Sequence, residues 1–149
     1  MTLLLQKEVA KRIIGITNVS KPNLKILGSE SLLSLSVKAY GKPSYIMKVE
    51  KRFFSPSPKV DSAIISIKDI SRDNFTSKKE EETFFKIIKS GFAHKRKFLK
   101  KNLESIKESP EQIQQIFEKL KINPKVRAES VPFAIWIKMT QLFLKNKKG

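Results

Sequence analysis

The sequence predicts an α+β chain in which a strand-bearing amino-terminal part precedes an all-helical carboxyl-terminal half. Three observations carry this. Two short runs, 44–50 ("SYIMKVE") and 62–68 ("SAIISIK"), alternate apolar and polar residues with the period of a strand. A polar stretch, "KDISRDNFTSKKEEE" (68–82), then interrupts the pattern. From Thr83 onward the apolar spacing is helical.

In chain order, residues 3–14 carry Leu4, Leu5, Val9 and Ile13 at helical intervals and are expected to form a helix. Residues 18–30 hold Asn18, Ser20, Pro22, Asn23, Gly28 and Ser29 and read as loop. Periodicity leaves 31–40 open between a short helix and a strand, and Gly41-Lys42-Pro43 reads as a turn. The two alternating runs are expected to pair as an antiparallel hairpin. Their connection is stiffened by Pro56 and Pro58, each of which fixes φ and lacks an N–H donor.

Further on, Ser109, Pro110 and Gln112 form a capping-box arrangement at a helix start. The stripe Ile113, Ile116, Phe117 and Leu120 has core spacing. A last helix over about 131–145 carries Phe133, Trp136, Ile137, Phe143 and Leu144, with Trp136 as a core anchor and a frayed tail after it. The domain reading is 1–70, a linker at 71–82, and a helical domain at 83–149.

Composition narrows function. Thirty-one Lys and Arg face 14 Asp and Glu among 149 residues, a net charge of +17. Such a field favours a polyanionic partner. With no cysteine there is neither a disulfide framework nor a thiolate metal site, which fits a reducing, cytoplasmic setting. A single histidine, His94, argues against a histidine-built metal cluster. No apolar run approaches the ~20 residues needed to span a bilayer, and "MTLLLQKEVA" is too short and polar for a signal peptide.

The distribution of charge sharpens this. Residues 83–103 contain seven Lys or Arg and no acid. On one continuous helix, Phe84, Ile88, Phe92, Leu99, Leu103 and Ile106 share an arc, while Lys86, Lys89, Arg96, Lys97, Lys100 and Lys101 share the opposite one. Lys95 lands on the apolar side, so a break or a shift of phase around Gly91–Lys95 is expected. An ordinary solvated face would interleave acids for local pairing. This stripe does not, and nucleic-acid phosphates would use it. The plain solvated face is the competing reading.

In order along the chain, "LQKEVAKRI" (5–13), "LSV" (35–37), "FSPSPKVDSAIISI" (54–67), "FAHKRKFLKKNL" (92–103) and "INPKVRAES" (122–130) resemble the KsgA/RsmA family of ribosomal RNA adenine dimethyltransferases. The resemblance implies the C-terminal remnant of a Rossmann-like methyltransferase domain, followed by an all-α RNA-binding domain. It implies methyl transfer from S-adenosylmethionine to two adjacent adenines of small-subunit rRNA in a cytoplasmic pre-30S particle, with no membrane or metal. The family's glycine-rich cofactor loop and its Asn-Leu-Pro-Tyr motif have no counterpart here. The five glycines never form G-x-G, so no cofactor is expected to bind this chain alone, and a missing N-terminal half is implied as partner. A stand-alone, non-catalytic rRNA-binding module is the alternative.

The resemblance also implies site residues. Phe54 would stack on the target adenine, since a base must leave its stack to be methylated at its exocyclic amine. Lys59 would touch a phosphate. Lys86, Lys89, Lys95, Arg96, Lys97, Lys100 and Lys101 would contact RNA. Phe53 is assigned to packing, Asp61 to a structural hydrogen bond. Two departures stand out: Glu30-Ser31-Leu32-Leu33 replaces the usual Lys-x-Tyr-Gly, and Lys95 stands where the family has the first arginine of Arg-Arg-Lys.

Overall fold

A computed structural model describes residues 1–15, 29–106 and 108–147. Most of the loop expected at 18–30 lies outside the described residues. The chain divides into two compact units, Met1–Ser29 with Leu33–Arg72, and Glu30–Leu32 with Asp73–Gly149.

The first unit is built on a three-stranded sheet of order β1-β3-β2, where β1 is Thr2–Gln6, β2 is Lys42–Val49 and β3 is Ser62–Lys68. The central β3 runs antiparallel to both neighbours, so β1 and β2 run parallel to each other. The expected β2–β3 pairing is present, with a register irregularity between Tyr45 and Met47. The expectation of a helix over 3–14 is corrected: residues 2–6 are a strand, and helix α1 spans only Lys7–Ile14. Three consecutive leucines satisfy either period. Pairing with β3, about sixty residues away in sequence, decides for the strand, placing Leu3 opposite Ile65 and Leu5 opposite Ala63. Lys42 and Pro43, expected in a turn, already belong to β2.

One face of the sheet is covered. Ala63, Ile65 and Ile67 of β3 form a buried cluster with Ala10 and Ile13 of α1, and Leu3, Leu5, Val9, Ile14, Val37 and Tyr45 pack around it. Gly15 ends α1 in the left-handed region at φ 81°, its N–H donating to Lys11 O. The undecided segment at 31–40 is helix α2, Leu32–Lys38. On the other face, Leu4 and Met47 both pair with Ile64, and both are about half exposed (53% and 51%). An apolar row therefore crosses all three strands on a face that no described element of this unit covers.

The described elements of the second unit are helical: α3 (Lys78–Gly91), α4 (Leu99–Leu103), α5 (Pro110–Lys119), a 3₁₀ turn at Ala128–Ser130, and α6 (Phe133–Lys147). Residues 71–82, expected as a linker, are not connection throughout. Lys78 to Glu82 form the start of α3, Ser77 caps it by accepting from Glu80 N–H, and Phe75 and Glu80 are buried. The predicted capping box at Ser109 and Gln112 is present. Trp136 is fully buried as expected, donating its Nε1–H to Val131 O at 2.9 Å. The final helix persists through Lys147, beyond the point where fraying was expected.

Candidate nucleic-acid interface

In the first unit, β1 and β2 run parallel and end at the same edge of the sheet, and the connection 50–61 leaves from the end of β2. The connection starts as a 3₁₀ turn, Lys51–Phe53, and is tied by its own atoms. Lys51 N–H donates to Asp61 Oδ1 at 2.8 Å, Ser57 Oγ donates to Lys51 O at 3.0 Å, and Lys7 N–H donates to Asp61 O at 2.9 Å. Asp61 is thus the structural acceptor expected of it. Its carboxyl sits below the ordinary value of 3.8, chiefly through the Lys51 amide bond, with Lys48, Lys7 and Lys51 adding positive charge and partial desolvation opposing.

Phe54 follows the 3₁₀ turn and is partly exposed. The assignment of Phe53 to packing is corrected: it is 70% exposed, and the Arg52 guanidinium lies 4.9 Å from its ring centroid. Arg52 also pairs with Glu50 at 2.6 Å. Two aromatic rings therefore reach the surface of this connection, where one was expected. Lys59 is exposed and lines a cleft with Gln6, Lys7, Glu8, Lys51, Val60 and Asp61. Lys7 and Lys51 went unnoticed in the sequence. No spacing signal links positions so far apart; only β1–β3 pairing brings them together.

In the second unit the basic stretch is not one helix. α3 ends at Gly91, residues 92–98 turn, and α4 begins at Leu99. Close packing requires a glycine at the last position of α3. A Cβ at Gly91 would sit 2.6 Å from Trp136 Cη2 and 2.9 Å from Leu99 Cδ1. Phe92 stacks on Trp136 with centroids 5.7 Å apart. The predicted apolar arc is nevertheless buried at Phe84, Ile88, Leu99, Leu103 and Ile106.

The turn is held by Asn102, a residue sequence reading passed over. Its Nδ2 donates to Gly91 O at 2.8 Å and to His94 O at 3.0 Å, bridging the start and middle of the turn from a buried position. Lys97 N–H also donates to His94 O at 3.1 Å. Lys95, Arg96 and Lys97 are exposed on this braced turn, and Lys86 and Lys89 are exposed on α3. The other two predicted cations are internally engaged: Lys100 Nζ bonds Gln114 Oε1, and Lys101 pairs with Glu104 at 3.3 Å. Among the described residues no group of His, Asp or Glu could hold a metal ion, and no helix is long and apolar enough to cross a membrane.

Comparison with solved structures identifies the class of fold. The chain aligns with the 23S rRNA methyltransferase ErmE at a TM-score of 0.68 and 18% identity, covering 95% of this chain and 53% of that one. It aligns with a dimethyladenosine transferase from Plasmodium falciparum at 0.70 and 21%, covering 98% and 57%. The fold is thus one found in RNA methyltransferases. The family is narrower: a family model described as Ribosomal RNA adenine dimethylase matches residues 1–145, and the chain belongs to that family. Ribosomal RNA small subunit methyltransferase A of Fusobacterium nucleatum is 33% identical over 141 residues, 95% of this chain and 50% of that protein. Its counterpart in Lactococcus lactis is 35% identical over 149 residues, 98% and 47%. The chain spans about half the length of the curated relatives it matches.

Proposed function

We propose that this chain is the RNA-holding part of an S-adenosylmethionine-dependent rRNA adenine dimethyltransferase acting on small-subunit rRNA in the cytoplasm. The observation that carries the reading is the Phe54–Lys59 connection. It is a self-braced loop at the carboxyl edge of two parallel strands, with a partly exposed ring and a cation five residues apart. In this reading the sheet is the C-terminal remnant of a Rossmann-like domain, and the apolar row Leu4–Ile64–Met47 is surface that a preceding half of the enzyme covers.

Among the described residues, the glycines do not suit the cofactor. Gly15 ends a helix, Gly41 packs under Ile67 and Gly91 under Trp136, so none of these three opens a cradle. The cofactor supplies an electrophilic methyl group when bound elsewhere in the enzyme; the residues here hold RNA. Phe54 stacks the extruded adenine. Lys59 and the exposed Lys86, Lys89, Lys95, Arg96 and Lys97 engage the backbone, positioning the RNA without reading its sequence. Lys100 and Lys101 contribute less, because each already has a protein partner.

RNA binding across a salt series tests the proposal. Log–log slopes should be steep, and replacing Lys95, Arg96 and Lys97 together by Ala should flatten them by about two for a single strand. An unchanged slope would move the RNA face elsewhere. Methylation by the chain alone would overturn the placement of the cofactor site.

A further inference from the structure

We propose that the cleft between Gln6–Glu8, Lys51 and Lys59–Asp61 is a phosphodiester subsite, holding the backbone link beside the base that Phe54 stacks. This rests on the reading of Phe54 given above and adds to it two residues, Lys7 and Lys51, outside the set from which that reading was built.

Four observations converge. The cleft lies at the carboxyl edge of the two parallel strands, built from the end of β1, the first turn of α1, and both ends of the 50–61 connection. Its walls are fixed relative to one another, because Asp61 accepts from Lys51 N–H through its side chain and from Lys7 N–H through its carbonyl. Three lysines, Lys7, Lys51 and Lys59, line a single concavity, and the charges of Lys7 and Lys51 act on the Asp61 carboxyl. Finally, the lining charge is balanced to one unit: three lysines against Glu8 and Asp61 leave a net +1. That matches the single negative charge of a diester better than the near-dianion of a free phosphate monoester. The carboxylates repel a second charge, and they also offer acceptors to ribose hydroxyls on either side of the link.

Ion pairing among surface side chains is the simpler account of these lysines, and it makes a different prediction. The experiment is amide chemical-shift mapping on the full chain, titrated with adenosine, with the dinucleotide ApA, and with inorganic phosphate. ApA carries one diester and no terminal phosphate. The proposal expects ApA to shift the amides of Lys7, Glu8, Lys51 and Asp61 together with Phe54, and adenosine to shift Phe54 alone. Lys7→Gln and Lys51→Gln should each weaken ApA about tenfold, the size of one lost charge-assisted hydrogen bond. Lys68→Gln, a charge-matched change at the far end of β3 from Asp61, should leave it unchanged.

Shifts confined to Phe54 with both ligands would overturn the subsite and leave base stacking standing. Shifts at neither place would overturn both. Inorganic phosphate acting on the cleft as strongly as ApA would overturn the diester assignment. Equal weakening by Lys68→Gln would reduce the effect to general charge.

Discussion

The 50–61 connection and the 91–103 segment solve one problem in opposite ways. Each presents groups suited to RNA, and each must hold them against the cost of ordering a loop. The first is braced at its base: Val49 of β2 pairs with Ser62 of β3, and Asp61 and Ser57 tie the crossing back to Lys51. It presents rings, Phe53 and Phe54, beside a few cations. The second is braced from beneath, by buried Asn102 and the Phe92–Trp136 stack, and presents consecutive cations with no acid among them. A stacking surface should depend little on salt, and a cationic turn should depend on it strongly.

The largest effect expected is structural and confined to the second region. Trp136→Ala removes the ring on which Phe92 stacks and against which Gly91 packs. It should cost about 3–5 kcal/mol in denaturant unfolding. A loss under about 1 kcal/mol would mean that the turn is not held from the core. Next comes Phe54→Ala, which should weaken single-stranded RNA by about 1–3 kcal/mol while leaving the salt slope unchanged. Asn102→Ala removes the side-chain donor to Gly91 O and one of two donors to His94 O, and should cost about 1–3 kcal/mol. It should also raise hydrogen exchange at Lys95 to Lys97 beyond the global change, which a merely destabilised core would not do.

The smallest effect is a pH dependence in the first region. Asp61 has its carboxyl lowered in the folded chain, so its ionised form stabilises the fold above the unfolded value near 3.8. That contribution is lost as pH falls through the lower folded value. The Tm of the native chain should therefore exceed that of Asp61→Asn at about pH 6 and converge with it in strong acid. A constant gap at all pH values would show that the Lys51 bond does not distinguish carboxylate from amide.

How much of this was legible in the sequence follows from where each feature gets its information. Ser109–Gln112, the β3 run and the burial of Trp136 are encoded locally, by capping chemistry and by a clear period, and were readable. β1 was not, because "TLLLQ" carries no strand signal apart from its partner β3. The break after Gly91 left a trace, since Lys95 fell on the apolar arc of a continuous helix. The close approach of Gly91 to the Trp136 ring, 45 positions on, did not. The Phe54 loop was readable as a motif. The side-chain choice within it was not, and Phe53, expected inside, lies outside. The cleft that joins Lys7 and Lys51 to Lys59 is a product of tertiary pairing and was invisible.

The contrast between the two regions is tested most directly by measuring Kd for one single-stranded RNA against salt concentration, using the native chain, Phe54→Ala and the Arg96→Ala/Lys97→Ala pair. The account predicts a Phe54→Ala line parallel to the native one and displaced to weaker binding, and a double-variant line flatter by about 1.4. A Phe54→Ala line of changed slope, or a double-variant line parallel to the native one, would contradict the division of labour between stacking and charge.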